Sequence, residues 1–193
     1  MVGRQLKRRD GEIWDFDRGV RVQFLNYGEY TWTNLPDRRE EVENFWTRER
    51  WILEKGEQWM GGPYYRRGKH MYSFRNPELV IGLSEKAMQY PGGLSTLAGR
   101  PVYYDGVETV LDAVTDAALF DADCCWRCDA GFLVAAGDVL YFTDGVRKNL
   151  PMGDLDWNED VEFLRVSETV YSIKLGAGRN FVLDTARWTC RTV

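Results

Sequence analysis

The sequence predicts an α+β fold: an N-terminal β-hairpin, about three helices, and a C-terminal antiparallel β-meander packed against a helix over 107–120. Three observations carry that expectation. Near the N-terminus, Val20, Val22 and Phe24 alternate with Arg21 and Gln23, the period-two pattern of a half-buried strand. Three later stretches repeat apolar residues at close to helical spacing. Beyond residue 130, short apolar runs alternate with turn residues in the manner of a meander.

In chain order, Asn26-Tyr27-Gly28-Glu29 supplies turn chemistry and Tyr30-Thr31-Trp32-Thr33 the returning strand, giving a hairpin over about 19–33. Asn34 or Asp37 then offers a cap, Pro36 suits an early helical position, and Asp37, Glu40 and Glu41 crowd a first turn. Val42, Phe45, Trp46, Ile52 and Leu53 extend that helix to a stop at Gly56. Residues 56–75 read as a loop broken by Gly56, Gly61, Gly62, Pro63 and Gly68. Asn76-Pro77 opens a second helix to about Met88, and a strand at Pro101–Tyr104 follows. The third helix rests on Val107, Val110, Leu111, Val114, Ala117 and Ala118, with Glu108, Asp112 and Asp116 opposite. Strands then follow at Gly131–Ala135, Val139–Thr143, Val161–Val166, Thr169–Leu175, Asn180–Leu183 and Ala186–Thr192.

At 193 residues and 22.4 kDa the chain suits one domain, with a possible subdivision near 95–100. Its 44% hydrophobic and 14% aromatic content excludes intrinsic disorder. No apolar run approaches the roughly 20 residues that span a bilayer. The basic N-terminus lacks the apolar core of a secretory signal, and four cysteines are too few and too clustered for a disulfide scaffold, so a reducing, cytoplasmic setting is expected.

Charge is uneven along the chain. Residues 1–75 hold 15 Lys+Arg against 12 Asp+Glu, net +3; residues 76–193 hold 10 against 18, net −8. This predicts an acidic face including Asp112, Asp116, Asp154, Asp156, Glu159 and Asp160, and favours basic partners over nucleic acid. The stretch 61–75 interleaves rings and bases, making Tyr64, Tyr65, Arg66, Arg67, Lys69, His70, Tyr72 and Arg75 candidates for contact with a protein or ligand.

Cys125-Trp126-Arg127-Cys128 together with Cys190 offers the only zinc candidate, which lacks a second spaced pair. No cofactor is otherwise expected. Asp154-Leu155-Asp156-Trp157-Asn158 starts like a calcium loop, but Glu159 stands where glycine belongs and Arg165 where glutamate belongs. His70 is the sole histidine, and no nucleophile elbow, phosphate loop or metalloprotease motif occurs. Tyr103-Tyr104-Asp105-Gly106-Val107 is echoed by Tyr141-Phe142-Thr143-Asp144-Gly145-Val146, which reads as two independent strand-to-turn corners rather than a repeat.

These features predict a non-catalytic protein–protein interaction protein, an accessory or structural subunit of a larger assembly. Two alternatives remain: an acidic inhibitor or immunity-type protein that blocks a basic nuclease or nucleic-acid-binding partner, and a small-ligand or nucleotide-binding protein using residues 61–75.

Overall fold

The computed structural model describes residues 6–25, 29–147, 149–154, 160–176 and 178–193, and it overturns the α+β expectation. Among the described residues there is no α-helix; one turn of 3-10 helix, Ala87–Gln89, is the only helical element. The strands form five four-stranded antiparallel meanders arranged as a five-bladed β-propeller.

The first blade holds β3 (Val20–Leu25), β4 (Tyr30–Asn34), β5 (Glu40–Asn44) and β6 (Arg50–Leu53). An extra hairpin, β1 (Leu6–Arg9) and β2 (Glu12–Asp15), pairs with the start of β3. The second blade is β7 (Glu57–Gly61), β8 (Tyr64–Arg67), β9 (His70–Ser73) and β10 (Val80–Gly82), and the third β11 (Leu94–Leu97), β12 (Arg100–Tyr104), β13 (Thr109–Asp112) and β14 (Ala118–Asp121). The fourth is β15 (Cys124–Cys128), β16 (Gly131–Ala136), β17 (Val139–Thr143) and β18 (Leu150–Asp154), and the fifth β19 (Val161–Arg165), β20 (Val170–Leu175), β21 (Asn180–Asp184) and β22 (Thr189–Thr192). The blades' first strands begin at residues 20, 57, 94, 124 and 161, so the chain does repeat. The Tyr-Asp-Gly echo misses that period because Asp105 follows a second strand, whereas Asp144 follows a third.

Two of the three predicted helices are strand–turn–strand units, and the other is a strand with a 3-10 turn. The stretch assigned to 37–55 is β5, a turn and β6; the second helix is β10 followed by the 3-10 turn; the helix over 107–120 is β13, a turn and β14. The physical reason is burial on both sides. A strand inside a blade packs against blades on either hand, so it loses the apolar–polar alternation of a half-exposed sheet. In β13, Val110 joins the cluster between blades three and four, while its neighbour Leu111 joins the one between blades two and three. Val107 and Val114, which completed the helical spacing, lie exposed in turns. In β5, Glu41, Val42, Glu43 and Asn44 are buried in succession; Glu41, read as part of a helix first turn, pairs with Arg18, and Glu43 pairs with Arg48 and Arg50.

The strands expected beyond residue 130 occur as strands, but they divide between two blades and no helix covers them. Residues 61–75 are the β8–β9 hairpin with its flanks, not a loop. Strand β16 shows how a blade is built. Phe132 and Val134 face blade three, and Leu133 and Ala135 face blade five. Gly131 opens this strand at φ +151°, and an added Cβ would fall on the Thr143 carbonyl oxygen. Only glycine lets the two backbones approach so closely.

Each third strand ends in the same local device. Asn44, Ser73, Asp112 and Asp184 accept backbone N–H groups two and three residues on, and Thr143 with Asp144 does so in blade four. These side chains replace lost ladder partners at the corner.

Candidate functional site

Within an antiparallel blade, the corner between strands one and two and the corner between strands three and four lie on the same face. On that face a cavity of about 250 Å³ is lined by residues from every blade. Blade one contributes Tyr30 and Asn44, blade two Gly61 to Tyr64 and Arg75, blade three Thr96 to Gly99, blade four Arg127 to Asp129, and blade five Arg165.

Beneath the cavity runs a buried polar network. Glu29, fully inaccessible, accepts the Tyr171 hydroxyl at 2.5 Å, the Asp129 backbone N–H at 2.9 Å and Arg165 Nη1 at 3.2 Å. Asp129 accepts the Tyr30 hydroxyl and, at 3.3 Å, Asn44 Nδ2; its Oδ2 lies 3.8 Å from Arg165 Nη1. Arg165 spends its remaining donors on the carbonyls of Ser167 and Glu168. Its guanidinium also stands 5.8 Å from the Trp46 ring centre. Burial, reinforced by the neighbouring Asp129 charge, pushes the Glu29 carboxyl up to about 7. Burial likewise raises Asp129, Tyr30, Tyr171 and Cys128. Asp129 is the carboxylate that reaches the cavity wall; Glu29 is sealed behind it.

Of the candidates in 61–75, Tyr64 and Arg75 line this cavity, as does the metal candidate Cys128. The others spread over blade two. Tyr65 stacks with Tyr72 at 5.4 Å, and His70 sits in β9 with its ring 6.4 Å from Tyr72. Arg66 binds Gln58, Arg67 pairs with Glu57, Lys69 with Glu85, and Arg75 with Glu49. Asp112 is buried at its corner and paired with Arg100 at 2.6 Å. Asp116 accepts the Ser84 and Tyr103 hydroxyls. Asp154 and Asp160 are exposed at strand and link positions, while Asp156 and Glu159, with most of the calcium-like stretch, lie outside the described residues. Cys125 and Cys128 point into different clusters from opposite sides of β15, and Cys190 packs near Cys128. Burial raises the Cys125 thiol to about 11. Among the described residues, no group of three or more His, Cys, Asp or Glu is placed to hold a metal ion.

Sequence reasoning missed Glu29, Tyr30, Asn44, Asp129, Arg165 and Tyr171. One signal was present. In Val161-Glu162-Phe163-Leu164-Arg165 the arginine shares a face with Phe163, which marks an inward charge.

Charge is sorted by corner. In three ion pairs at the cavity-face corners of blades three to five, the carboxylate is spent on its turn and the guanidinium is left outside. Arg100 is 60% exposed against 8% for Asp112, Arg147 52% against 20% for Asp144, and Arg187 83% against 21% for Asp184. The opposite face, made of second corners and blade-to-blade links, exposes Glu108, Asp121, Asp123, Asp138, Asp154 and Asp160 in blades three to five.

No helix among the described residues is long and apolar enough to cross a membrane. No family model and no curated protein matches the sequence. Among solved structures, the chain is similar to the β-propeller domain of Cps50 (Swd1) from Myceliophteria thermophila, at 8% identity and a TM-score of 0.33, over 94% of this chain and 78% of that one. That likeness is too low to carry an argument, and the propeller architecture stands on the strand topology.

Proposed function

We propose that the protein is a non-catalytic interaction module, an accessory or structural subunit that engages protein partners through its two corner faces. The observation that carries this reading is the sorting of charge. Blades three to five present exposed guanidinium groups at their cavity-face corners and exposed carboxylates at the corners and links of the opposite face. Loops held by a rigid scaffold are where binding surfaces concentrate. Glu29, whose carboxyl burial pushes up to about 7, is sealed from the cavity and saturated with hydrogen bonds, which suits a structural role better than proton transfer to a substrate.

The test is photocrosslinking of the full chain in its native cells, with a benzophenone amino acid placed at Val146 on the cavity face or at Asp138 on the other. A discrete adduct from at least one position is expected. Its absence from both would overturn the reading. A second reading, an inhibitor of a basic partner, draws support from the acidic face of blades three to five. It predicts an adduct from Asp138 alone, with affinity falling steeply as salt screens exposed charge over a Debye length of about 10 Å at 0.1 M.

A further inference from the structure

We infer that the groove between the third and fourth blades, on the cavity face, docks an acidic protein segment that carries one bulky apolar side chain. This inference rests on the interaction reading above. The groove holds about 200 Å³ and borders the central cavity through Ala98, which lines both. Its apolar lining comes from Leu97, Val102, Leu119 and Phe120, with Phe120 braced edge-on against Phe132 at 6.0 Å. The groove closes tightly at Gly145, where an added Cβ would lie 2.5 Å from Leu97 Cδ2.

Arg100 and Arg147 stand on the rim. Their partner carboxylates, Asp112 and the groove-lining Asp144, each spend one oxygen on a turn and leave the paired guanidinium groups outermost. Asp112 Oδ1 is held at 2.9 Å by the N–H groups of Val114 and Thr115, and Asp144 Oδ1 by those of Val146 and Arg147. Trp188 holds the Arg147 guanidinium 5.0 Å above its ring. An apolar slot sized for one side chain, flanked by two pre-positioned guanidinium groups, matches carboxylates on either side of a Phe or Leu. A nucleic acid fits less well, because two rim cations give no continuous phosphate track.

The probe is a dye-labelled, end-blocked nonapeptide with one phenylalanine among eight Asp and Glu residues, titrated by fluorescence anisotropy at low salt. Saturable binding is expected. Arg100→Gln/Arg147→Gln should weaken it about tenfold and Arg100→Lys/Arg147→Lys much less, since each exposed pair adds modestly. Replacing the peptide's phenylalanine by serine should also cost about tenfold. Melting curves accompany each variant. If the double Gln variant does not fold, Arg147→Gln alone, at a solvent-facing turn, should still weaken binding about threefold. No saturable binding, or binding indifferent to both the arginines and the phenylalanine, would overturn the inference. So would tighter binding of oligothymidylate through the same arginines. An adduct from Asp138 but none from Val146 would remove the groove and leave the interaction reading intact; no adduct at either would remove both.

Discussion

Two seams of the propeller are built from opposite materials. Between blades four and five the contact is apolar: Leu133, Ala135, Leu140 and Phe142 from one blade meet Phe163, Ile173, Leu175 and Leu183 from the other. Between blades five and one, where the ends of the repeat array meet, the described residues contribute no such cluster. The ends of the array are joined instead by Glu29 of blade one, which binds Arg165 and Tyr171 of blade five and the Asp129 N–H of blade four, with Trp46 beside Arg165. An apolar seam forms wherever enough greasy surface is brought together, and it tolerates small shifts. A hydrogen-bonded charge network demands one geometry, because each unpaired member would be left buried at high cost. The comparison suggests that apolar contacts supply adhesion between consecutive blades, while the polar seam fixes which blade closes on which.

The largest effect should come from cutting the polar seam. Arg165→Ala leaves Glu29 and Asp129 facing each other without their shared cation, and should cost about 3–5 kcal/mol in urea unfolding at pH 8. Leu133→Ala opens a cavity in the apolar seam, with an expected cost of about 3 kcal/mol. Lowering the pH separates them. At pH 5 the cost of Arg165→Ala should shrink as Glu29 takes up a proton, whereas that of Leu133→Ala should not move. Equal pH dependence in the two variants would break the comparison.

The polar seam also predicts a pH profile for the unaltered chain. Glu29 binds its proton more tightly folded, at about 7, than in its ordinary environment, at 4.5. Between those values the folded state holds more protons than the unfolded one, so stability declines as pH rises and levels off above about 7. At about 1.4 kcal/mol per pH unit the decline amounts to at most about 3 kcal/mol. Asp112 acts in the opposite sense: burial pushes its carboxyl up, but the Thr115 and Val114 N–H groups and Arg100 more than offset this, so its contribution is lost only in acid. The melting temperature should therefore peak near pH 5, and Glu29→Gln should flatten the fall toward neutrality. A profile rising from pH 5 to 7 would contradict the assignment.

How much of this was legible follows from the same physics. Strands beyond residue 130 are visible in sequence because Gly137-Asp138 and Asp184 punctuate them. The strands of blades one to three are masked wherever both faces are buried. Val110-Leu111 then reads as part of a helical stripe, and Glu41, buried beside Arg18, reads as part of a helix first turn. The seam was beyond local pattern. Glu29 meets Asp129, Arg165 and Tyr171 at separations of 100, 136 and 142 residues. Nothing in a window of fifteen residues reports such a contact. The charge asymmetry between halves was real as arithmetic, yet its spatial meaning depends on which corner each residue occupies.

The smallest effect concerns those corners, and nature has placed the control in the same chain. Asp184 accepts the N–H groups of Ala186 and Arg187 at 3.0 and 3.1 Å, and Asn44 accepts those of Trp46 and Thr47 at 2.9 Å at the equivalent corner of blade one. What the corner needs is a short side chain ending in an acceptor oxygen; the charge is incidental to the turn itself. Asp184→Ala should therefore cost about 1 kcal/mol, and Asp184→Asn only a few tenths, by urea unfolding. If Asn proves as costly as Ala, the pairing with Arg187 at 3.7 Å must carry the stabilisation. The corner carboxylates would then be held by their arginines, and lowering salt would strengthen the corner in the unaltered chain but not in the Asn variant.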